Sequence, residues 1–453
     1  MGNTKIFPEK YQRMSILGAM LVFFGVFCTG CGGSGGSTPS PTPIPEQKYE
    51  WPMFGLDYEH SRHSPDVSFN RSNIGRLSVA FRLPGAGVTG TPTIVDDRVY
   101  YSDYDGWVNV IDAESGELHW RVQLQESMLT PSVLVSDDTL YIAGKDSIVY
   151  ALDREDGSVR WQSAIENTSF NQIWSSPIVI DNTLIIGAAS FQGTRVISED
   201  EEFFRGGIVG LNATTGEQLW RLSVCPEESC GGGVSVWSSA SIDTDLKIAY
   251  IGTGQAHRSP AGPYSDSLVA FDYETGEMLW HHQYTANDVF SVDGGALDFD
   301  IGASPNLFSA MVSEVERDLV GVADKGGRYM AFDRVSGEKV WETYLGFGSF
   351  LGGAMGSAAY ADGRLYLTCN TSFYIGERTE FVPSSADALA LDASTGNIVW
   401  RRSFGAGVIG GALVANELMY FTTWDGQLRV LDTLSGAVLR TIPVGDGVGV
   451  YDV

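Results

Sequence analysis

The chain of 453 residues sets 29 lysines and arginines against 56 aspartates and glutamates, a net charge of −27, with 43% hydrophobic residues, 54 glycines and five cysteines. No basic cluster offsets that charge, which excludes nucleic acid and anionic lipid surfaces as partners. Six scattered histidines without an HExxH, and the lack of a Gly-x-Ser-x-Gly elbow, leave zinc-enzyme and serine-hydrolase chemistry without a motif.

In chain order, Lys5, Lys10 and Arg13 precede the apolar run "MSILGAMLVFFGVF" and then "CTGC", the layout of a secretory signal. The run is too short for a comfortable transmembrane helix. It resembles a bacterial lipoprotein signal. That resemblance implies removal of residues 1–30, a lipidated Cys31 and, with Gly32 rather than Asp following, anchorage in an outer membrane, facing the periplasm. Residues 31–50, including "GGSGGSTPSPTPIPEQK", read as a flexible tether, and residues 51–453 as one folded body.

That body repeats itself. "VNVIDAESGELHW" recurs as "VYALDREDGSVRW", "IVGLNATTGEQLW", "LVAFDYETGEMLW", "YMAFDRVSGEKVW", "ALALDASTGNIVW" and the weaker "LRVLDTLSGAVLR". Each copy alternates apolar and polar residues, turns through Asp or Asn, Ser or Thr and Gly, and resumes: a β-hairpin. Two further strand-like runs precede each hairpin, as in "TPTIVDD" and "RVYYSDY", so the unit is a four-stranded propeller blade. The turn residues and terminal tryptophans are structural, the latter packing between blades. "GAGVTG", "GAGVIG" and "GDGVGV" open no helix and mark blade starts rather than a dinucleotide site.

Strands A to D of a blade put the C–D turns on one face and the B–C loops and D–A connections on the other. The long insertions "FQGTRVISEDEEFFRG", "AHRSPAGPYSDS" and "TSFYIGERTEFVPSSAD" read as B–C loops; "VCPEESCGGGVS" and the segment from His281 to Ala303 read as D–A connections. All fall on one face, where a pocket at the end of the central channel would sit. Asp298 and Asp300, in "LDFDIGASPNLF", enter the fifth blade there. Cys225 and Cys230 bracket "PEES", leaving open a small-loop disulfide or two thiols, and Cys369 stands alone. "CTGC" lacks the following His of covalent haem attachment.

The repeat resembles the pyrroloquinoline quinone (PQQ) motif "A-x-D-x-x-T-G-x-x-x-W", matched at Ala270–Trp280 and Ala390–Trp400. The fold expected is therefore an all-β, PQQ-type propeller with seven full repeats. The N-terminal "LSVAFRLPG" looks like a lone final strand, so either seven blades close with extra ends or an eighth is incomplete. "VWSSASIDTDLKIAYIGTGQ", "DFDIGASPNLF" and "LVGVADKGGRYMAFD" further resemble PQQ-dependent alcohol dehydrogenases of the polyvinyl-alcohol-dehydrogenase-like branch. That resemblance implies Asp300 as catalytic base, Trp237 as the floor under the quinone and Lys325 as the cation beside its oxygens. It implies Glu201 (or Glu202), Gln255 in the place of an Asn, and Asp300 as calcium ligands. A small alcohol or polyol would be oxidised and an external acceptor such as a cytochrome reduced. The second reading is a non-enzymatic propeller resembling the scaffold lipoprotein of outer-membrane β-barrel assembly.

Overall fold

The computed structural model describes residues 49–445 apart from 167, 169–170, 195–201, 292–297, 349–351 and 377–379. The expected signal, Cys31 and most of the tether lie outside the described residues. Within them the chain is all β, seven sheets each built on four antiparallel strands in the order A-B-C-D, with three short 3-10 turns. The first blade runs Thr93–Val95, Arg98–Ser102, Trp107–Asp112 and Leu118–Gln123; the fifth runs Asn306–Val312, Val315–Ala323, Arg328–Asp333 and Lys339–Tyr344.

The hairpin motif folds through local chemistry. In the first blade Asp112 Oδ1 accepts from the Ser115 amide at 2.7 Å and hydroxyl at 2.8 Å, closing an Asx turn. The fourth and sixth blades repeat it at Asp272 and Asp392. The glycine that follows is left-handed and also makes room for its neighbour. A Cβ on Gly216, at φ +74°, would lie 2.5 Å from the Trp161 ring of the preceding blade. The indole of Trp161 in turn donates to Ala213 O at 2.9 Å, as Trp341 does to Ala393 O at 3.0 Å. Tryptophan and glycine thus lock each blade to the next.

Between the seventh and first blades another residue fills that place. A Cβ on Gly116 would meet the Phe81 ring at 3.0 Å. Arg440, where the seventh hairpin lacks its tryptophan, donates to Leu77 O at 3.3 Å, and Arg82 reaches Pro443 O and Val444 O at 2.8 and 2.9 Å. Residues 77–83 therefore stand between the seventh and first blades, with Phe81 as the wedge. The strands of an eighth blade expected from "GDGVGV" onward fall on 446–453, outside the described residues.

The channel is layered along the innermost strands. Ser132 N donates to Ser176 Oγ at 3.0 Å, and Ser176, Ser239 and Ser304 continue to the Ser239, Ser304 and Ser357 hydroxyls at 2.9 Å, a belt crossing five blades. Three residues further along the strands, the segment from Trp51 to Ser64 laces their inner edges. Trp51 pairs with Ile94, Pro52 O accepts from Val135 N, and the Tyr58 hydroxyl donates to Val179 O. The carbonyls of Tyr58, Glu59, Ser61 and Arg62 accept from Ile242, Leu307, Tyr360 and Val414 at 2.7 to 2.9 Å. This segment of turns and bends thereby touches all seven blades.

On the other face the long insertions lie between strands B and C or D and A, as the motif order requires. Two bounds differ from the sequence reading. His281–Gln283 still belong to a D strand, Met278–Gln283. "TSFYIGERTEFVPSSAD" is no loop: strands Arg364–Gly376 and Glu380–Asp392 continue through it as one ladder, pairing Phe373 with Pro383 and Tyr374 with Val382. Its aromatic and β-branched residues favour the extended pairing over a loop.

Candidate active site

Asp298 and Asp300 lie on the D–A connection just before strand Asn306–Val312, and Lys325 on the tight B–C turn after Val315–Ala323. The Lys325 amide donates to Asp300 O at 2.9 Å, which docks the turn on the connection. Its ammonium bridges Asp298 Oδ1 and Asp300 Oδ2, each at 3.1 Å. Asp300 Oδ2 also accepts from Trp237 Nε1 at 3.0 Å, and Oδ1 from the Gln255 amide N–H at 2.7 Å. The partly exposed Trp237 ring sits on Gly302, where a Cβ would fall 1.8 Å from Cη2, and Lys325 Nζ lies 5.1 Å from the ring centroid. The structure thus brings Asp300, Asp298, Lys325, Trp237 and Gln255 together.

Burial sets the electrostatics. Asp298, enclosed and beside Asp300, is pushed up to about 8 despite the neighbouring ammonium. Burial alone would lower Lys325, but Asp298 and Asp300 outweigh it and hold the ammonium above its usual range. Burial lowers His257 to about 4, offset in part by Asp300.

Three residues escaped the sequence reading. Asp266, in "YSDSL", is fully buried, and burial with the nearby Asp300, Asp288 and Asp298 drives its carboxyl well above the usual range. Asp288, in "TANDV", is buried and accepts the Phe299 amide at 2.9 Å. Trp174 occupies the same place in the third blade as Trp237 in the fourth, and meets Phe191 edge-on at 4.7 Å. The signal for it was the paired "IWSSP" and "VWSSA"; for the two aspartates only their place in the elaborated loops pointed here.

Of the expected calcium ligands, Glu201 lies outside the described residues. Glu202 is exposed, and its backbone carbonyl accepts from Gln192 Nε2 at 2.7 Å. The Gln255 side-chain amide abuts both oxygens of Asp300. With its nitrogen inward it donates to them, reaching Oδ2 at 3.1 Å; with its oxygen inward three oxygens would crowd together, an arrangement that a cation makes favourable. Among the described residues no three His, Cys, Asp or Glu side chains already converge as metal ligands. Cys225 and Cys230 form a disulfide, and Arg205 braces that loop through Cys230 O at 2.8 Å. Cys369 is a buried free thiol, pushed up to about 12 by burial.

Known proteins resemble this chain in sequence and in fold. The PQQ family model, described as glucose/ethanol/alcohol dehydrogenase, beta-propeller domain, matches residues 163–344; a second, described as outer membrane protein assembly factor BamB, matches 73–202 and 351–440. A polyvinylalcohol dehydrogenase of Sphingopyxis sp. (strain 113P3) is 25% identical over 90% of this chain and 69% of its own. The quinohemoprotein alcohol dehydrogenase of Comamonas testosteroni is 27% identical over 64% of this chain, which spans 45% of that longer protein. The crystal structure of the Comamonas enzyme superposes with a TM-score of 0.74 at 22% identity, covering 89% of this chain and 74% of the enzyme. BamB from Moraxella catarrhalis gives 0.54 at 18%, covering 78% and 88%.

Proposed function

We propose, from the premise that this chain belongs to the PQQ-repeat β-propeller family, that it is a quinoprotein dehydrogenase oxidising a small alcohol or polyol at the mouth of its channel. The observation that carries this reading is the convergence of Asp300, Lys325 and Trp237 on the elaborated face. When bound, PQQ supplies the two-electron acceptor. The residues suit a planar, anionic ring: Trp237 offers a flat apolar face, and buried Lys325 a fixed positive charge beside it.

Asp300 is the group to take the alcohol proton. Trp237 Nε1, the Gln255 amide and Lys325 fix the orientation of its carboxylate before substrate arrives. Lys325, charged throughout the physiological range, favours negative charge developing nearby. The tight Lys325 turn and the disulfide-braced loop after Cys225 hold the rim and limit water. Calcium at Asp300 and Gln255, with Glu201, belongs to the same proposal and requires the Gln255 amide oxygen to face inward. Electrons would leave to a separate carrier such as a cytochrome. We place the protein on the periplasmic side of an outer membrane, held by lipid on Cys31.

The scaffold reading has the BamB family match in its favour. A scaffold, however, has no use for buried carboxylates gathered around one lysine. The test is to incubate the protein with PQQ and Ca²⁺, gel-filter it and follow quinone absorbance. Co-elution, followed by dye reduction on adding alcohols, is expected; a folded protein that elutes without quinone would turn the reading toward the scaffold.

A further inference from the structure

The short-turned face carries one exception to its pattern. In six blades strands A and B pair over three residues and then turn, as Thr93–Val95 does against Arg98 through Asp96 and Asp97. In the fifth blade Asn306–Val312 and Val315–Ala323 pair over seven. Counted from the belt serines Ser304 and Ser132, the turn at Ser313 and Glu314 comes four residues later than the turn at Asp137 and Asp138 in the second blade. Four residues per strand, at about 3.3 Å each, make a tongue standing about 13 Å beyond the neighbouring turns. Met311 and Val315 at its tip are each more than half exposed.

The tongue leaves a strand edge open. The Leu307 amide points away from strand B and donates to Glu59 O of the lacing segment at 2.9 Å. Antiparallel pairing repeats every second residue, so the N–H and C=O groups of Ser309 and Met311 point the same way. The Tyr360 hydroxyl takes Ser309 O at 2.7 Å; among the described residues nothing bonds the Ser309 and Met311 amides or the Met311 carbonyl. Acids surround this edge. Glu314, Glu316 and Asp318 are exposed on the tongue, and Glu59 on the lacing segment. Partial burial raises the Glu59 carboxyl above its ordinary value; Arg334 opposes this, while Asp57, Asp243 and Asp318 add to it. The nearby cations are engaged, Arg334 with Asp243 and Arg317 with Asp333, each at 3.0 Å. A second copy of the chain would set Glu314, Glu316 and Asp318 against their own kind, which discourages edge-to-edge pairing. A cationic strand meets no such penalty.

We propose that the tongue is a docking edge for another protein, of which an extended segment carrying lysine or arginine adds as a strand beside Ser309 and Met311. The backbone of that segment takes up the two open amides and the Met311 carbonyl, its apolar side chains cover Met311, and its cations meet Glu316 and Asp318. The surface lies on the face opposite the proposed quinone and does not depend on it.

The test uses the purified full chain, free of PQQ, and a short fluorescein-labelled peptide alternating valine and lysine, followed by anisotropy. Saturable binding that weakens as salt is added is expected, together with slowed hydrogen exchange at the Ser309 and Met311 amides. Met311→Pro removes an outward N–H without touching the ladder to strand B, and should weaken binding about tenfold; Met311→Ala, which keeps the N–H, should cost about threefold. Wild-type affinity in a folded Met311→Pro protein overturns the proposal, because the peptide then sits elsewhere on this acidic chain. If that variant does not fold, exchange at Ser309 and Met311 that the peptide leaves unchanged in the wild type overturns it instead. Equal binding of a peptide alternating valine and aspartate also overturns it, as does a wild-type chain that binds neither peptide.

Discussion

The two faces of this propeller obey different rules. On one, Asp, Ser or Thr, Gly and Trp recur in successive hairpins, and each tryptophan meets the glycine of the next blade. On the other, Asp300, Lys325 and Trp237 occur once, held by connections that copy nothing. Repetition secures the ring, and singular residues would carry the proposed chemistry. The same scaffold can therefore lose one without the other.

The sharpest way to separate them is Asp300→Asn. Quinone-dependent alcohol oxidation should fall about 10²–10⁴-fold, the range of a lost general base, while far-ultraviolet circular dichroism keeps the β signature. Undiminished activity would remove Asp300 from its role. Trp341→Ala should do the reverse: about 3–5 kcal/mol of stability lost in denaturant titration, with the turnover of the folded fraction unchanged. A loss of turnover there would mean that the two faces are coupled.

A smaller effect is read in pH. Asp266 and Asp298 hold protons well above the usual carboxylate range, whereas the unfolded chain releases them near pH 4. Between about pH 4 and 8 the native state therefore binds more protons, and this contribution to stability, complete below that window, is lost as pH rises through it. The slope is at most about 1.4 kcal/mol per pH unit for each proton. Lys325, raised rather than lowered, stays charged and adds no slope. Melting metal-free protein at pH 5, 6.5 and 8 should show the decline, and Asp266→Asn should flatten it; a slope unchanged by that substitution would assign the protons elsewhere.

The repeated face was legible in the sequence because its grammar is local: an Asx turn, a left-handed glycine and a tryptophan all lie within about a dozen residues. Phe81 was not, because the wedge is defined by where the ring must close rather than by the motif around it. The ladder ending at Gly376 and resuming at Glu380 was hidden by turn-forming and charged residues in "GERTE". Lys325 was legible through the family resemblance alone; its partners Asp298 and Asp300 come from the docking of two loops far apart in the chain. Asp266 and Asp288 sit in polar loops, where an acid is ordinarily solvated; their burial comes from neighbours far along the chain.

The lacing segment at Trp51–Ser64 carries a consequence for the order of assembly. Arg62 bonds Ala412, 350 residues later, so one of the first ordered stretches to be synthesised waits for one of the last. At about 5–20 residues per second that wait is roughly 20–70 s, during which His63 and Ser64 lack the strand they pair with. Such long-range pairing makes closure slow. A chain truncated before its final blade would keep well-formed hairpins but leave the lace without its Arg62–Val414 tie, presenting apolar surface for chaperones or proteases to recognise.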